Sequence, residues 1–495
     1  MKFQSTRDIK SEAAPSEAIL RGIAPDGGLY VPEKFPVLSM EEIAAFARRR
    51  YHENAALLLG QFFTDFTAEE LLGCAEGAYL GRFEEDLPAP LAMLGDACCL
   101  IELWHGPTCA FKDIALQILP RLLTKAAEKR GGGKKTVILA ATSGDTGKAA
   151  LEGFRDVPGT EILVFYPEDG VSGMQKLQMA TQRGGNVHVR AIRGNFDDTQ
   201  TAVKRIFTDA SIKAALAERG MAFSSANSIN IGRLVPQIVY YLEAYAKLAA
   251  DGKIKLGDGI NVAVPSGNFG DILAAYYAKK MGLPVHKLIC ASNSNHVLTD
   301  FIRTGVYDRN RRFYATVSPS MDILISSNLE RLLFDYYDRD SAAVAALLKS
   351  LAETGAYEVS DEVKAKLRAD FWPGWCSEED TLRTVGDIFE TYDYLCDTHT
   401  AVALDVLRRY AEETGDSRMT LVVSTASPYK FPTSVLKAVA GQTFADEFAA
   451  AEELERISGM LMPDSLRELR GAEIRFTGSS EKEELEAYVL GAVGG

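Results

Sequence analysis

From about residue 95 onward, one pattern of apolar and polar positions recurs along the chain. A short apolar run without polar alternation meets a turn containing glycine or serine, and a helix-periodic stretch follows. ACCLIELWHG (97–106) leads into a helical stretch over 113–130. TVILAAT (136–142) meets SGDTG and then a helix through 154. INVAVP (260–265) meets SGNFGD and then ILAAYYAKKMG, and MTLVVST (419–425) meets ASPYKFP and then SVLKAVAG. β-branched runs without alternation suit strands covered on both faces, and their alternation with helices implies right-handed crossovers within a parallel sheet. The predicted fold class is therefore α/β. The first 90 residues read differently, with a turn at PDGG (25–28) and helices over 39–50 and 68–80, and form an expected N-terminal extension. Residues 330–400 read as helical with charged faces, broken at FWPGW (371–375), and the stretch from 447 is again polar and helical.

Composition narrows the class without changing this picture. A chain of 495 residues can hold two or three domains, and 47% hydrophobic with 25% charged residues fits a soluble globular protein. The formal net charge of −14 opposes binding to nucleic acid or anionic membranes, which demand clustered cations. The seven cysteines show no C-x-x-C spacing, and Cys98 and Cys99 are adjacent, so neither a disulfide framework nor a zinc site is expected. With no leader pattern and no apolar run near the roughly 18–20 residues of a bilayer span, the expected setting is a reducing cytoplasm. The expected partner is a small-molecule substrate, with no metal, and the chain acts as a monomer or homodimer.

The loops carry the candidate chemistry. In a parallel sheet, ligands lie beyond the carboxyl ends of the strands, where helix N-termini present free N–H groups and a positive dipole end. PSGNFGD (265–271) has two glycines that permit close backbone approach, which suits a phosphate dianion, although glycine turns also serve packing alone. No G-x-G-x-x-G follows a strand, and SGDTGK (143–148) is too short in its glycine spacing for a P-loop. HGPTCAFKD (105–113) sets Lys112 beside Phe111 at a helix start, where the dipole and burial both disfavour a charged amine. A neutral amine is what Schiff-base chemistry with an aldehyde such as pyridoxal phosphate requires. On local grounds a solvated lysine stays open as the alternative.

HGPTCAFKD, ATSGDTGKAA, GNFDDTQ, NSINIGR, VPSGNFGD and STASPYKF occur in this order over roughly 330 residues, and APDGGLYVPE (24–33) precedes them. Together they resemble the threonine synthase family in its long form, among the fold type II pyridoxal-phosphate enzymes related to the tryptophan synthase β-chain. The resemblance implies two parallel-sheet α/β domains with an N-terminal extension domain. The extension is placed at 1–95, a large cofactor-binding domain at 96–138 and 239–446, a smaller mobile domain at 139–238, and a helical C-terminal segment at 447–495. It implies pyridoxal 5'-phosphate carried by Lys112, with Phe111 near the ring, Gly267, Asn268, Phe269 and Gly270 around its phosphate, Asp271 closing that loop, and Thr425 facing the pyridine nitrogen. Thr142, Ser143, Asp145 and Thr146 would receive the substrate carboxylate, although shorter family members carry asparagine where this chain has Asp145. Asn227, Ser228 and Arg233 would hold a substrate phosphate, with a turn capping the next helix as the structural alternative for NSIN. GNFDDTQ is assigned no catalysis, and Asp197 or Asp198 is expected to cap a helix. His105 reads equally as an acid–base group or as structural, and His399 as a residue that positions cofactor or product. The implied reaction converts O-phospho-L-homoserine and water to L-threonine and phosphate, the last step of threonine biosynthesis. The alternative is a pyridoxal-phosphate lyase acting on a related phosphorylated hydroxy-amino acid.

Overall fold

In the computed structural model, which describes residues 1–142, 144–168, 171–194 and 196–493, the β-branched runs form two parallel sheets. The larger has six strands in the order Phe371–Trp375, Val285–Ser292, Ile260–Pro265, Thr420–Ser424, Cys98–Glu102 and Leu91–Leu94, of which only the last is antiparallel to its neighbour. Every residue of Ile260–Pro265 and of Thr420–Ser424 is buried, as expected for strands sandwiched between helices. Val262 lies opposite Leu421, and Val422 opposite Leu100, so the carboxyl ends of three adjacent strands open side by side. SGNFGD, TASPYK and HGPTCAFK leave from those three ends. FWPGW corrects the sequence expectation: Phe371–Trp375 is an edge strand rather than a helix break. Pro373 is tolerated because it pairs on one side only, with Cys290.

The smaller sheet runs Ser479–Ser480, Val187–Ile192, Thr160–Pro167, Lys135–Ala141 and Met221–Ser224, all parallel. Two expected boundaries shift. A cut at 138/139 falls inside Lys135–Ala141, and Leu91–Leu94 lies on the N-terminal side of a cut at 95 yet pairs into the larger sheet. The C-terminal stretch is not helical alone. It adds the short strand Ser479–Ser480 beside Ala191 and Ile192, and its helix Leu485–Ala492 buries Leu485 and Val489 in the same cluster as Val137, Leu163 and Phe165.

The N-terminal residues build a three-stranded antiparallel sheet in the order Glu12–Ala13, Phe3–Ser5, Tyr30–Pro32, followed by helices. Met40–Ala44 and Ala68–Tyr79 begin with capping boxes, Ser39 with Glu42 and Thr67 with Glu70, which satisfy otherwise orphaned N–H groups. A helix at Tyr51–Phe62 lies between them. One apolar core runs from Phe3, Leu59 and Phe62 through the helix Ile238–Ala250 to Val262 and Val264 of the larger sheet. Inside it, Asn54 donates to Glu243 at 2.9 Å.

Candidate functional site

Lys112 is the first residue of the short helix Lys112–Leu116, in the loop after Cys98–Glu102. That loop is stitched to the neighbouring strand end. The Phe111 N–H donates to the Thr425 carbonyl at 2.8 Å, and Ala110 bridges Ala426. The Lys112 amine is buried and sits 4.6 Å from the centre of the Phe111 ring. Burial lowers its pKa to about 8, against the pull of Asp145, while Lys430 and Arg233 push it the same way as burial. A substantial neutral fraction at physiological pH is the property a Schiff-base lysine needs.

Asp145 begins the helix Asp145–Phe154, at the carboxyl end of Lys135–Ala141 in the smaller sheet. Its carboxylate lies 2.7 Å from Lys430 Nζ and 3.8 Å from Lys112 Nζ, and accepts from Gln175 at 2.9 Å and from the Ser320 hydroxyl at 3.1 Å. Burial works to raise this carboxyl, but Lys430 and Lys112 outweigh it and hold it well below the ordinary carboxylate range. An asparagine could not balance two buried ammonium groups in this way. The helix also packs directly on Lys112–Leu116. A Cβ added at Gly153 would lie 1.9 Å from the Leu116 carbonyl oxygen. Thr142 acts locally, because its hydroxyl accepts from the N–H groups of Gly144 and Gly147, each at 3.0 Å, and so shapes the loop instead of pointing at a ligand. Thr146 is half-buried on the first turn, and Ser143 lies outside the described residues.

The loop after Ile260–Pro265 turns into the helix Gly270–Lys280 through Phe269, whose φ of +66° is unusual for a bulky side chain. Phe269 is the helix cap in place of a polar residue, and it is fixed by packing 5.6 Å from the Phe371 ring. Asn268 folds back to accept from the Gly270 N–H at 3.1 Å, and the Gly267 carbonyl accepts from Ser326 at 2.5 Å. Cβ atoms at Gly267 and Gly270 would sit 3.1 Å from Met321 Cα and 3.2 Å from Asn268 Oδ1, so a side chain at either position would crowd the loop. Asp271 does not close this cradle as expected. Its carboxylate turns into the core, where Tyr240 and Tyr241 donate to it, the latter at 2.6 Å, and burial lifts it to about 6. An acid turned away leaves the loop without a negative charge facing an incoming phosphate.

Arg233 lies on the helix Ile231–Leu234 and is buried, donating to the Ala226 carbonyl at 3.0 Å. Burial lowers its pKa to about 10. The capping reading of NSIN holds for Asn230. Asn230 caps the helix through the Gly232 N–H, whereas Ser228 is half-buried and Asn227 exposed at the mouth. Three buried cations, Lys112, Lys430 and Arg233, lie near one another: Lys112 and Lys430 meet at Asp145, and the helix Ile231–Leu234 packs on Lys112–Leu116. Among the described residues, Asp145 is the sole carboxylate within ion-pair distance of any of them. A bound anion would offset the desolvation cost of these buried cations.

His105 and His399 are each held by carboxylates. His105 stacks on Trp104 at 4.0 Å and is gripped by Glu84 at 2.7 Å and Glu102 at 2.8 Å. Burial opposes its charge, but the two carboxylates prevail and raise it to about 9. His399 bonds Asp397 at 2.7 Å through Nδ1, while its Nε2 accepts the Ser320 N–H at 3.1 Å, leading to Ser320 and Asp145. Of the GNFDDTQ acids, the side chain of Asp197 lies outside the described residues, and Asp198 approaches Lys482 at 3.4 Å. Sequence reasoning gave no role to Lys430, Ser320, Asn328 and Arg331. Lys430 stands inside STASPYKF, and a lysine in a loop at a buried strand end is the signal that was available.

These groups fit pyridoxal phosphate: a partly neutral buried amine, a glycine cradle free of acids, and Thr425, whose hydroxyl makes no hydrogen bond among the described residues. Comparisons with known proteins agree. Three family models match in order: threonine synthase N terminus over residues 2–79, pyridoxal-phosphate dependent enzyme over 86–358, and threonine synthase C-terminal over 400–489. The human protein threonine synthase-like 1 is 42% identical over 434 residues, 86% of this chain, and the chain spans 58% of that relative's length. The threonine synthase of Pseudomonas aeruginosa is 40% identical over 92% of this chain and 94% of its own. Among solved structures, the PLP-bound threonine synthase of Brucella melitensis matches with a TM-score of 0.88 and 36% identity over 99% of each chain, and the yeast threonine synthase with 0.88 and 30% over 100% and 99%. With the three family models in sequence along the chain and a threonine synthase 40% identical over 92% of it, the chain belongs to the threonine synthase family of pyridoxal-phosphate-dependent enzymes.

Proposed function

We propose that this protein converts O-phospho-L-homoserine and water to L-threonine and inorganic phosphate, with pyridoxal 5'-phosphate carried by Lys112. The carrying observation is the excess of buried cations in the cleft, with Arg233 lacking any acidic partner among the described residues beside an amine already inclined to neutrality. A phosphorylated substrate supplies the missing charge. The bound cofactor contributes an electron sink conjugated to the substrate's α-carbon. The Lys112 amine would act as the base that takes the α-proton. Arg233, Asn227 and Ser228 bind the phosphate and stabilise its charge as it leaves the γ-carbon. Thr146 and the free N–H groups at the start of Asp145–Phe154 would receive the substrate carboxylate, and the Thr425 hydroxyl would help hold the cofactor's ring. Asp145 belongs to the smaller sheet while Lys112, Lys430 and Ser320 belong to loops around the larger one, so ligand binding reads as closure of one sheet on the other, keeping water out until elimination is complete. We take the protein to act in the cytoplasm; among the described residues no helix is long and apolar enough to cross a membrane.

Incubating the cofactor-loaded protein with O-phospho-L-homoserine and assaying phosphate and threonine together tests the reading. Equal yields of both are expected, and Arg233→Gln should raise KM far more than it disturbs folding. Phosphate accompanied by a 2-oxo acid and no threonine would sink it.

A further inference from the structure

The Ser228 hydroxyl is unusually constrained. Two side-chain amides donate to its oxygen, Asn268 Nδ2 at 2.8 Å and Asn328 Nδ2 at 3.0 Å. A serine hydroxyl has two acceptor sites and one proton. With both acceptor sites taken, the proton must point elsewhere, and among the described residues it finds no protein acceptor. The orientation of each amide is settled by a group that can only donate. Asn268 Oδ1 accepts from the Gly270 backbone N–H at 3.1 Å, and Asn328 Oδ1 accepts from Arg331 Nη1 at 2.5 Å. Reversing either amide would set its NH2 group against a donor, so neither nitrogen can be exchanged for oxygen. Arg331 is itself buried without a carboxylate partner among the described residues, holding the carbonyls of Tyr30 at 3.0 Å, of Ser228 at 3.4 Å and of Ile229.

We propose that Asn328, locked by Arg331, is a positioning residue that makes the Ser228 hydroxyl an obligatory donor to the substrate phosphate. The proposal rests on the phosphate-binding reading of this cleft and adds residues outside the six motifs. It also gives the N-terminal segment a role. The Tyr30 carbonyl anchors Arg331, while Thr6 and Arg7 hold the adjacent Glu330, Arg7 at 2.9 Å, so the segment braces the helix Leu329–Tyr336 from behind. A preset donor aimed at a dianion needs no reorganisation when the ligand arrives, and it rejects a ligand that offers a donor at the same place.

A double-mutant cycle on the cofactor-loaded enzyme tests this, with inorganic phosphate binding measured by calorimetry and KM for O-phospho-L-homoserine in parallel. Asn328→Ala should weaken phosphate about tenfold, as should Ser228→Ala, whereas adding Asn328→Ala to Ser228→Ala should cost about twofold at most. If Asn328→Ala folds poorly, Asn328→Asp serves instead. It keeps the Arg331 contact but accepts from Ser228, and its added charge is common to both serine and alanine backgrounds and cancels in the cycle. Retention of the cofactor should hold while KM rises and kcat falls, because the same hydroxyl stabilises the departing phosphate. Equal losses in both backgrounds, or coupling seen in cofactor retention alone, would overturn the proposal. A wild-type enzyme that shows the coupling toward phosphate yet makes no threonine would overturn the proposed function and leave this assignment standing.

Discussion

The Lys112–Asp145–Lys430 triad makes a quantitative demand, because substitutions at Asp145 and Lys430 must move the Lys112 amine in opposite directions. Asp145 lies 3.8 Å from Lys112 and favours its protonated form, whereas Lys430 disfavours it. For charges about 4 Å apart in an effective dielectric near 20, the interaction is about 4 kcal/mol, equivalent to roughly 3 pH units at the outside. Asp145→Asn should therefore lower the Lys112 pKa from about 8 by at least ~1 unit, even if water enters and relaxes the site. Lys430→Met should raise it toward the ordinary lysine value. Cofactor-stripped protein mixed with pyridoxal phosphate regains the visible absorbance of the lysine-bound form, and the pH midpoint of that rate reports when the amine loses its proton. The expected order of midpoints is Asp145→Asn, wild type, Lys430→Met, from low to high. Asp145→Asn also strands Lys430 without a carboxylate, so melting should show a loss of roughly 3–5 kcal/mol, whereas Lys430→Met leaves Asp145 paired with Lys112 and should lose less. Midpoints that shift the same way, or a wild-type midpoint at the ordinary lysine value, would refute the electrostatic account.

Other consequences carry their own tests. His105, raised to about 9, contributes stability that is fully present below pH 6.5 and is lost as pH rises through 9. With Glu84 half exposed, the loss should be about 2 kcal/mol, and urea titrations should show it vanish in His105→Gln. Lys112 runs the other way: in the cofactor-free protein its lowered pKa means the unfolded chain holds more protons between pH 8 and 10.5, so stability climbs by up to about 3 kcal/mol across that window, and Lys112→Met should flatten the climb. Gly153→Ala places a Cβ 1.9 Å from the Leu116 carbonyl oxygen, which must force the two helices apart. A calorimetric loss of roughly 1–3 kcal/mol is expected, and an unchanged melting temperature would show that the contact yields freely.

The strand-turn-helix units were legible because a buried parallel strand leaves an unmistakable apolar run and its loop a glycine. Lys112, Gly267 to Gly270 and Arg233 were legible because their motifs stand at those loops. What stayed hidden depended on contacts between distant segments. FWPGW looks like a break until Val285–Ser292 lies beside it, since a strand paired on one side tolerates a proline that no central strand could. Asp271 sits in the phosphate loop by sequence, yet Tyr240 and Tyr241, some 30 residues earlier, draw its carboxylate away. Thr142 reads as a ligand group, and only the positions of the Gly144 and Gly147 N–H groups show it to be a local cap. Asn328 and Arg331 lie in no motif at all, and their link to Ser228 spans about 100 residues.

The short pairing of Ser479–Ser480 with Ala191 and Ile192 bears on how the molecule comes into being. Translation delivers the other four strands of the smaller sheet by residue 224, but the edge beside Val187–Ile192 gains its cover only when Ser479 and Ser480 emerge. Until then a polypeptide of more than 450 residues carries an open row of N–H and C=O groups and an apolar patch awaiting Leu485 and Val489. A ribosome stalled before residue 479 would thus hold a chain with this flank uncovered, prone to pair with its neighbours on the same message. The C-terminal residues act in this sense as a seal applied after assembly.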